Sequence, residues 1–530
     1  MTIEFPEKFN LGDYFLYHNL EAGREHKTCL YFEEQSFTYG DVARMSNRLG
    51  NVLRELGVRI EERILIALPD CPQFVWSWFG AARVGAVITM VNPLLPAADY
   101  PYYLRYTRAR VAVIHESLVT AFSEVVRTTT THLRAILVVG DLPPDVNLPS
   151  GRTGPSWLSF ADSVMSAAEE CPRADTHRDD IAIWLFTSGS TGHPKGAVHL
   201  QHDLPFNTEL FAKGTIGVNE NDLTLAVPKL FFGYATGTNL LFPFAVGAAT
   251  VLFAERSTPE KIFAAIERYR PTILTTVPTM INSMLNANAS ESHDLSSLRF
   301  CYSAGEALPV ELYERWTKTY GVEIYDGIGS AEMFHIYISN RPGDVKPGSL
   351  GRLVSGYEAR IVGPDDSEVA IGEMGTLRVK GDSAALCYWS AHEESKKTFA
   401  GDWCTTGDQF HVDEAGYYWY HGRADDMLKV SGVYVAPNEI ENCLLQCEPV
   451  LECAVIGHDE GDGLIKPKAF IVLRDSQTAS EQLATEIKEF VKARLAMYKY
   501  PRWIEFVTSL PKNDRGKINR KELKARDRHR

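Results

Sequence analysis

Thr187-Ser188-Gly189-Ser190-Thr191-Gly192-His193-Pro194-Lys195-Gly196 directly follows the apolar run Ile181-Ala182-Ile183-Trp184-Leu185-Phe186. That run has the length and β-branched content of a strand buried on both faces, so the loop is expected to begin at a strand end. Three glycines let its backbone approach an anion closely, four hydroxyls add donors, and Lys195 supplies positive charge. Such a loop suits a polyphosphate. It is not a Walker A loop, which ends in Gly-Lys-Ser/Thr; here Pro194 precedes Lys195 and Gly196 follows it. A flexible Gly/Ser linker would need neither the strand before it nor the spaced Pro and Lys.

The chain around this loop has 530 residues, enough for one large and one small domain with a well-buried core. A formal charge of −14 argues against a general nucleic-acid binder, so any anionic ligand must meet local positive charge. The last twenty residues offer one such place, with nine Lys and Arg against three acids. The nine cysteines are scattered without a Cys-x-x-Cys pair, and Cys443 and Cys447, one helical turn apart, read as core packing. A reducing cytoplasm is the expected compartment. Residues 1–8 lack a basic start followed by an apolar stretch, so no signal peptide is expected. Residues 74–91 form the longest apolar run, but Arg83, Gly80 and Gly85 interrupt it, which predicts a buried helix and strand, not a membrane span.

Upstream, Thr38 and Asp41 have capping-box spacing, and Val42, Met45, Leu49, Val52 and Leu56 recur at helical period up to Gly57. Residues 63–68 then read as a strand, 72–82 as a helix and 86–91 as a strand; downstream, 248–253 read as a strand, 258–269 as an amphipathic helix and 272–277 as a strand. This alternation predicts an α/β fold with a large N-terminal domain of two stacked doubly wound sheets. Residues 141–180, rich in Pro, Ser, Gly and charge, read as a surface connection. After about Gly351 short strands and turns predict a small β-rich subdomain; from Asp425 strands and helices mix again, with Pro437 at a helix start.

The loop at 187–196, read with the motifs that follow it, resembles the phosphate loop of the adenylate-forming superfamily: acyl-CoA synthetases, aryl-CoA ligases, luciferases and nonribosomal-peptide adenylation domains. The motifs stand in that family's order over nearly the whole chain. The resemblance implies an N-terminal adenylation domain, 1–424, binding ATP and the acid, and a small mobile α+β cap domain, 425–530, carrying a catalytic lysine. It implies that Thr187, Ser188, Gly189, Ser190, Thr191 and Gly192 cradle phosphates beside Lys195. Gly327-Ile328-Gly329-Ser330-Ala331-Glu332 resembles the family segment Tyr-Gly-x-Thr-Glu, which puts Glu332 on Mg²⁺ beside the phosphates. Ile328 stands where the family has Tyr and Ala331 where it has Thr; the second change removes a hydroxyl from the α-phosphate. Asp326 is placed to accept from the adenine amine, and the turn Ala304-Gly305-Glu306 to wall the adenine. Asp408, in Thr405-Thr406-Gly407-Asp408, matches the residue that binds both ribose hydroxyls, Arg423 one that reaches ribose and phosphate, and Asp425 the hinge. Lys517, in Asp514-Arg515-Gly516-Lys517, matches the lysine that bridges the acid's carboxylate and the α-phosphate during adenylation. Lys429 and Gly432 would approach an arriving CoA thiol after the cap rotates.

Pro228-Lys229-Leu230-Phe231-Phe232-Gly233-Tyr234 resembles the segment that forms the acid pocket, with Phe232 and Tyr234 as flat walls and Gly233 leaving room between them. Together with Ala304, Ile328, Gly329 and His335 the set is most similar to benzoate-type CoA ligases, for benzoate, 2-aminobenzoate or hydroxybenzoates; one or two pocket atoms separate these, worth about 1–3 kcal/mol. The implied activity is an ATP-dependent aryl-CoA ligase using Mg²⁺ and coenzyme A, a monomer or homodimer without nucleic-acid or membrane partners. An aryl-AMP ligase loading a carrier protein, a luciferase-like oxygenase and a nucleotide-binding protein without turnover are the alternatives. No carrier domain follows Arg530, which points to free CoA, and binding alone would not require Lys195, Glu332 and Lys517 together.

Overall fold

In the computed structural model the described residues are 3–142, 154–187, 193–287, 293–430, 433–459, 465–474, 478–512 and 518–528. Two large sheets dominate the N-terminal part. In one, nine strands run in the order Arg352–Leu353, Ile336–Ser339, Ile324–Gly329, Phe300–Ala304, Ile273–Thr276, Leu223–Ala226, Ala249–Leu252, Thr28–Phe32 and Gln35–Thr38. In the other, eight run Cys387–Tyr388, Lys195–Leu200, Ile181–Thr187, Val87–Met90, Arg63–Ala67, Val111–His115, Ala135–Val139 and Ser156–Ser159. The interior of each sheet is parallel; antiparallel strands close both ends of the nine-stranded sheet, and one end of the eight-stranded sheet, whose other edge, Ser156–Ser159, stays parallel.

The helix Pro72–Arg83 explains how the two sheets become one body. It starts with Pro at its first position and is apolar nearly all round, so both of its flanks need cover. Its Phe74, Trp78 and Phe79 join a buried cluster that takes in Leu30, Ile273 and Phe300 from the nine-stranded sheet and Ile64, Ile88 and Ile183 from the eight-stranded one. The helix Tyr39–Glu55 packs beside it, entered through the capping box that Thr38 and Asp41 predict: Asp41 N–H donates to Thr38 Oγ1 at 3.1 Å and Thr38 N–H to Asp41 Oδ2 at 3.0 Å.

A five-stranded sheet, from Glu358–Val362 to Tyr418–Arg423, is the expected β-rich subdomain. Beyond it a smaller α+β domain holds the hairpin Leu428–Val430 and Val433–Val435, the three-stranded sheet of Val450–His458, Lys466–Leu473 and Trp503–Phe506, and the helices Pro437–Leu445, Glu481–Lys492 and Arg520–Arg528, with its own core around Ile440, Val455 and Ile487. It rests on the larger domain through Arg474, which donates to Asn286 Oδ1 at 2.8 Å, and through Asn282, which donates to the Leu451 carbonyl at 3.2 Å. Cys443 and Cys447 are buried in the small core and all nine cysteines are free thiols. Among the described residues no helix is long and apolar enough to cross a membrane.

Candidate active site

The strand Ile181–Thr187 ends where the Gly/Ser loop begins, as its apolar run implies. It returns not through a helix but as the antiparallel strand Lys195–Leu200, with Thr187 opposite Lys195. The Gly/Ser stretch therefore connects two antiparallel strands, not a strand and a helix. Ser188, Gly189, Ser190, Thr191 and Gly192 lie outside the described residues. So do Lys517 and Gly432.

What holds the far side of that hairpin is the tyrosine-rich helix Tyr100–Thr107. Tyr102 donates to the Pro194 carbonyl at 2.5 Å, and its ring stacks on His193 at 4.8 Å between centroids. One turn on, Tyr106 accepts from Gly196 N–H at 3.1 Å and donates to the Trp389 carbonyl at 2.5 Å. Lys195 is thus fixed at the head of its strand. Its ammonium lies 3.9 Å from Glu394 Oε1 and 5.3 Å from the centroid of the Tyr388 ring. These tyrosines carry no motif, and sequence reasoning missed them; only the i, i+4 spacing of Tyr102 and Tyr106 hinted at a shared face.

Glu332 sits in the 3₁₀ turn Ala331–Met333 that follows the strand Ile324–Gly329. Three contacts aim it. Tyr388 Oη donates to Glu332 Oε1 at 2.6 Å, Ala385 N–H donates to the Glu332 carbonyl at 2.7 Å, and His199 Nε2 lies 2.7 Å from the Ala331 carbonyl. The other nitrogen of His199, a fully buried residue on the strand that Lys195 begins, lies 2.8 Å from Asp203 Oδ2. The turn ends in a strained γ-turn: Phe334 has φ 66° and ψ −58°, and His335 N–H donates to the Met333 carbonyl at 2.9 Å. A bulky residue held at positive φ is overdetermined by its surroundings, here the buried Phe334 ring.

The strained turn also delivers His335. Its Nε2 lies 3.0 Å from the Tyr234 carbonyl, its ring packs 4.7 Å from Phe242 and 5.5 Å from Tyr234, and its Nδ1 has no hydrogen-bond partner. Burial lowers its pKa to about 4, so the ring is neutral at ordinary pH with the proton on Nε2 facing the carbonyl. Gly329 is required opposite it: a Cβ there would stand 2.4 Å from the His335 carbonyl oxygen. The helix Gly233–Thr236 presents Tyr234, with Phe232 at its N-cap. A Cβ at Gly233 would lie 3.1 Å from Leu185 Cδ1, so this glycine lets the Leu185 side chain pack against the helix start.

Adenine-side candidates come from adjacent parallel strands. Ser303 pairs with Asp326 and Ala304 with Gly327, so Ala304, Gly305 and Glu306 lie beside Asp326, Gly327 and Ile328 at the carboxyl ends of their strands, where open α/β sheets bind ligands. Asp326, 5 % exposed, accepts from Leu308 N–H at 3.3 Å through Oδ2 while Oδ1 has no partner, and burial pushes its pKa up to about 7. Glu306 is held by the Thr279 hydroxyl at 2.6 Å. On the β-rich subdomain Asp408 and Arg423 face each other across paired strands, with Arg423 Nη1 3.5 Å from Asp408 Oδ1 and 2.9 Å from the Thr406 carbonyl. Asp425 is exposed, 3.6 Å from Arg423 Nε. Lys429 is exposed on the small domain's hairpin, opposite Tyr434. The residues on either side of 513–517 are drawn together, as Lys512 bridges Ile518 and Asn519 N–H donates to the Pro511 carbonyl at 2.7 Å.

Comparison with known families decides what this geometry belongs to. The family model described as AMP-binding enzyme matches residues 18–389, and that of the AMP-binding enzyme C-terminal domain matches 439–517. The chain belongs to the AMP-binding enzyme family. It is an enzyme, of the acid–thiol ligase class. Among members of the family it is 43% identical over 527 residues to a benzoate–CoA ligase of Thauera aromatica, covering 99% of this chain and 97% of that one. The crystal structure of the anthranilate CoA ligase AuaEII in complex with anthranoyl-AMP matches with a TM-score of 0.93 at 41% identity, covering 99% and 98% of the two chains. A benzoate CoA ligase from Burkholderia xenovorans matches with a TM-score of 0.88 at 41% identity, covering 97% and 99%.

Proposed function

We propose that the enzyme is an ATP-dependent aryl-CoA ligase acting on a benzoate-type acid: benzoate, 2-aminobenzoate or a hydroxybenzoate. The observation that carries the acid class is the contact of His335 Nε2 with the Tyr234 carbonyl, which holds two rings 5.5 Å apart, tilted 37° to each other. Full-length similarity to ligases named for benzoate and anthranilate supports the same class.

A carboxylate is inert to a thiol because oxide is a very poor leaving group. In the first half-reaction a carboxylate oxygen attacks the α-phosphorus of ATP, forming aryl-AMP and releasing pyrophosphate; in the second the CoA thiol attacks the acyl carbon and AMP leaves. Charge builds on the phosphates in the first step, so prearranged cations and dipoles supply most of the acceleration. In this reading the hairpin loop 187–192 and Lys195 hold the β- and γ-phosphates, Asp326 and the turn 304–306 hold adenine, and Asp408 with Arg423 holds the ribose. Lys517 bridges the acid and the α-phosphate; Asp425 is the hinge about which the small domain, 425–530, turns to bring Lys429 and Gly432 toward the thiol.

The donor set fits Mg²⁺ bound together with nucleotide. Among the described residues no group of three or more His, Cys, Asp or Glu stands together, whereas Glu332 has one oxygen occupied by Tyr388 and one left over. Mg²⁺ prefers that pattern, one hard carboxylate completed by phosphates and water. When bound it neutralises charge on the phosphates.

A panel of benzoate, 2-aminobenzoate, three hydroxybenzoates and short aliphatic acids, scored by AMP release with and without CoA, tests the reading. Sustained AMP release should need CoA and be at least about ten-fold faster with one of the aryl acids than with any aliphatic one, the selectivity that about 1.4 kcal/mol of pocket contact gives. Preference for acetate or butyrate would overturn the acid class, and turnover only with a pantetheinylated carrier protein would reassign the acceptor.

A further inference from the structure

Tyr388 ends the short strand Cys387–Tyr388, which lies antiparallel to Lys195–Leu200 with Tyr388 opposite Ala197. One side chain there meets both charges of the proposed phosphate site. Its hydroxyl donates to Glu332 Oε1 at 2.6 Å, and its ring centroid lies 5.3 Å from Lys195 Nζ. The tyrosine is 8 % exposed and is itself fixed from two further sides, its N–H donating to Ser395 Oγ at 3.0 Å and its ring packing 5.3 Å from Phe399. The ion pair of Lys195 is with Glu394, at 3.9 Å, and not with Glu332.

A glutamate on a 3₁₀ turn beside a lysine has two easy alternatives to waiting for a metal: it can swing onto the ammonium, or offer both oxygens at once. A phenol hydrogen bond to Oε1 opposes both, since it restrains the carboxylate's rotation and leaves Oε2 as the less occupied oxygen for a cation. We propose that Tyr388 is a positioning residue for the nucleotide-linked Mg²⁺, presenting a single oxygen of Glu332 to the metal and keeping the carboxylate off Lys195. This rests on the reading of Glu332 as the metal-facing carboxylate. Hydrogen-bond partners of ligating carboxylates carry a ten- to hundred-fold share of metal affinity, roughly, in characterised sites. Its signature is therefore a change in metal requirement and not in nucleotide recognition.

The test uses the full chain and α,β-methylene-ATP, which cannot transfer AMP, with calorimetric titrations in EDTA and over a range of Mg²⁺. Tyr388→Phe keeps the ring that faces Lys195 and Phe399. The expected result is metal-free nucleotide affinity within about two-fold of the parent, with a Mg²⁺ concentration for half-maximal enhancement of binding raised about ten-fold or more. Ser395→Ala, which loosens the Tyr388 backbone without touching its hydroxyl, should leave that Mg²⁺ midpoint within about three-fold. An unchanged midpoint in Tyr388→Phe, or equal loss of metal-free and metal-linked binding, would overturn the proposal. Glu332→Gln separates the two readings: it should abolish the Mg²⁺ enhancement, and if it does not, the assignment of Glu332 fails and the role of Tyr388 fails with it.

Discussion

Replacement of Lys517 by Ala is expected to slow aryl-AMP formation by about a hundred- to a thousand-fold, while thioester formation from supplied aryl-AMP and CoA stays within about three-fold of the parent rate. The asymmetry follows from the chemistry. In the first half-reaction negative charge accumulates between the attacking carboxylate and the α-phosphorus, and one ammonium on a flexible stem can neutralise both partners. In the second, the electrophile is a carbonyl that already carries a good leaving group, and the same cation has no bridging task. Pyrophosphate release in single turnover measures the first step, and mass-spectrometric detection of aryl-CoA from synthetic aryl-AMP measures the second. Equal loss in both would contradict the assignment. The residues flanking this lysine are anchored within the small domain: Arg520 Nη2 lies 2.7 and 2.6 Å from the two carboxylate oxygens of Glu441.

Asp408→Ala is expected to weaken nucleotide binding by about a hundred-fold, the loss of two hydrogen bonds to a charged acceptor at about 1.5 kcal/mol each. Asp408 is 7 % exposed, and Arg423 is placed 3.5 Å from its carboxylate. The reading that it grips a diol makes a sharper claim than loss of affinity. Wild type should lose a comparable factor on changing from ATP to 2′,3′-dideoxy-ATP, whereas Asp408→Ala should lose little more, because each change removes the same interaction. Additive losses in this cycle would show that the carboxylate acts elsewhere.

The parts of the fold legible in the sequence are those with a local cause. The strands Arg63–Ala67, Val87–Met90 and Ile273–Thr276 stand in apolar runs between turn residues, and Thr38 caps the helix its spacing implies. Less legible were pairings that join distant segments. Thr28–Phe32 lies parallel to Ala249–Leu252, and Cys387–Tyr388 adds an edge to Lys195–Leu200; no residue in either strand names its partner. The same divide runs through the candidate site. Glu332, Asp408 and Arg423 stand in recognisable motifs, but the groups that aim Glu332 arrive from the strand Lys195–Leu200 and from the segment Ala385–Tyr388, about fifty residues or more away in sequence. The γ-turn at Phe334 could not be read either, because Phe disfavours positive φ and only the surrounding packing imposes it.

The central claim, activation of an aryl carboxylate through an acyl-adenylate, is tested most directly by isotope transfer. With benzoate labelled in both carboxylate oxygens with ¹⁸O, ATP, Mg²⁺ and CoA, one labelled oxygen becomes the bridge of the mixed anhydride and leaves with AMP when the thiol attacks. AMP is expected to carry one ¹⁸O atom, pyrophosphate to be unlabelled, and the thioester to retain the other ¹⁸O. Unlabelled AMP, or label in inorganic phosphate or pyrophosphate, would contradict it.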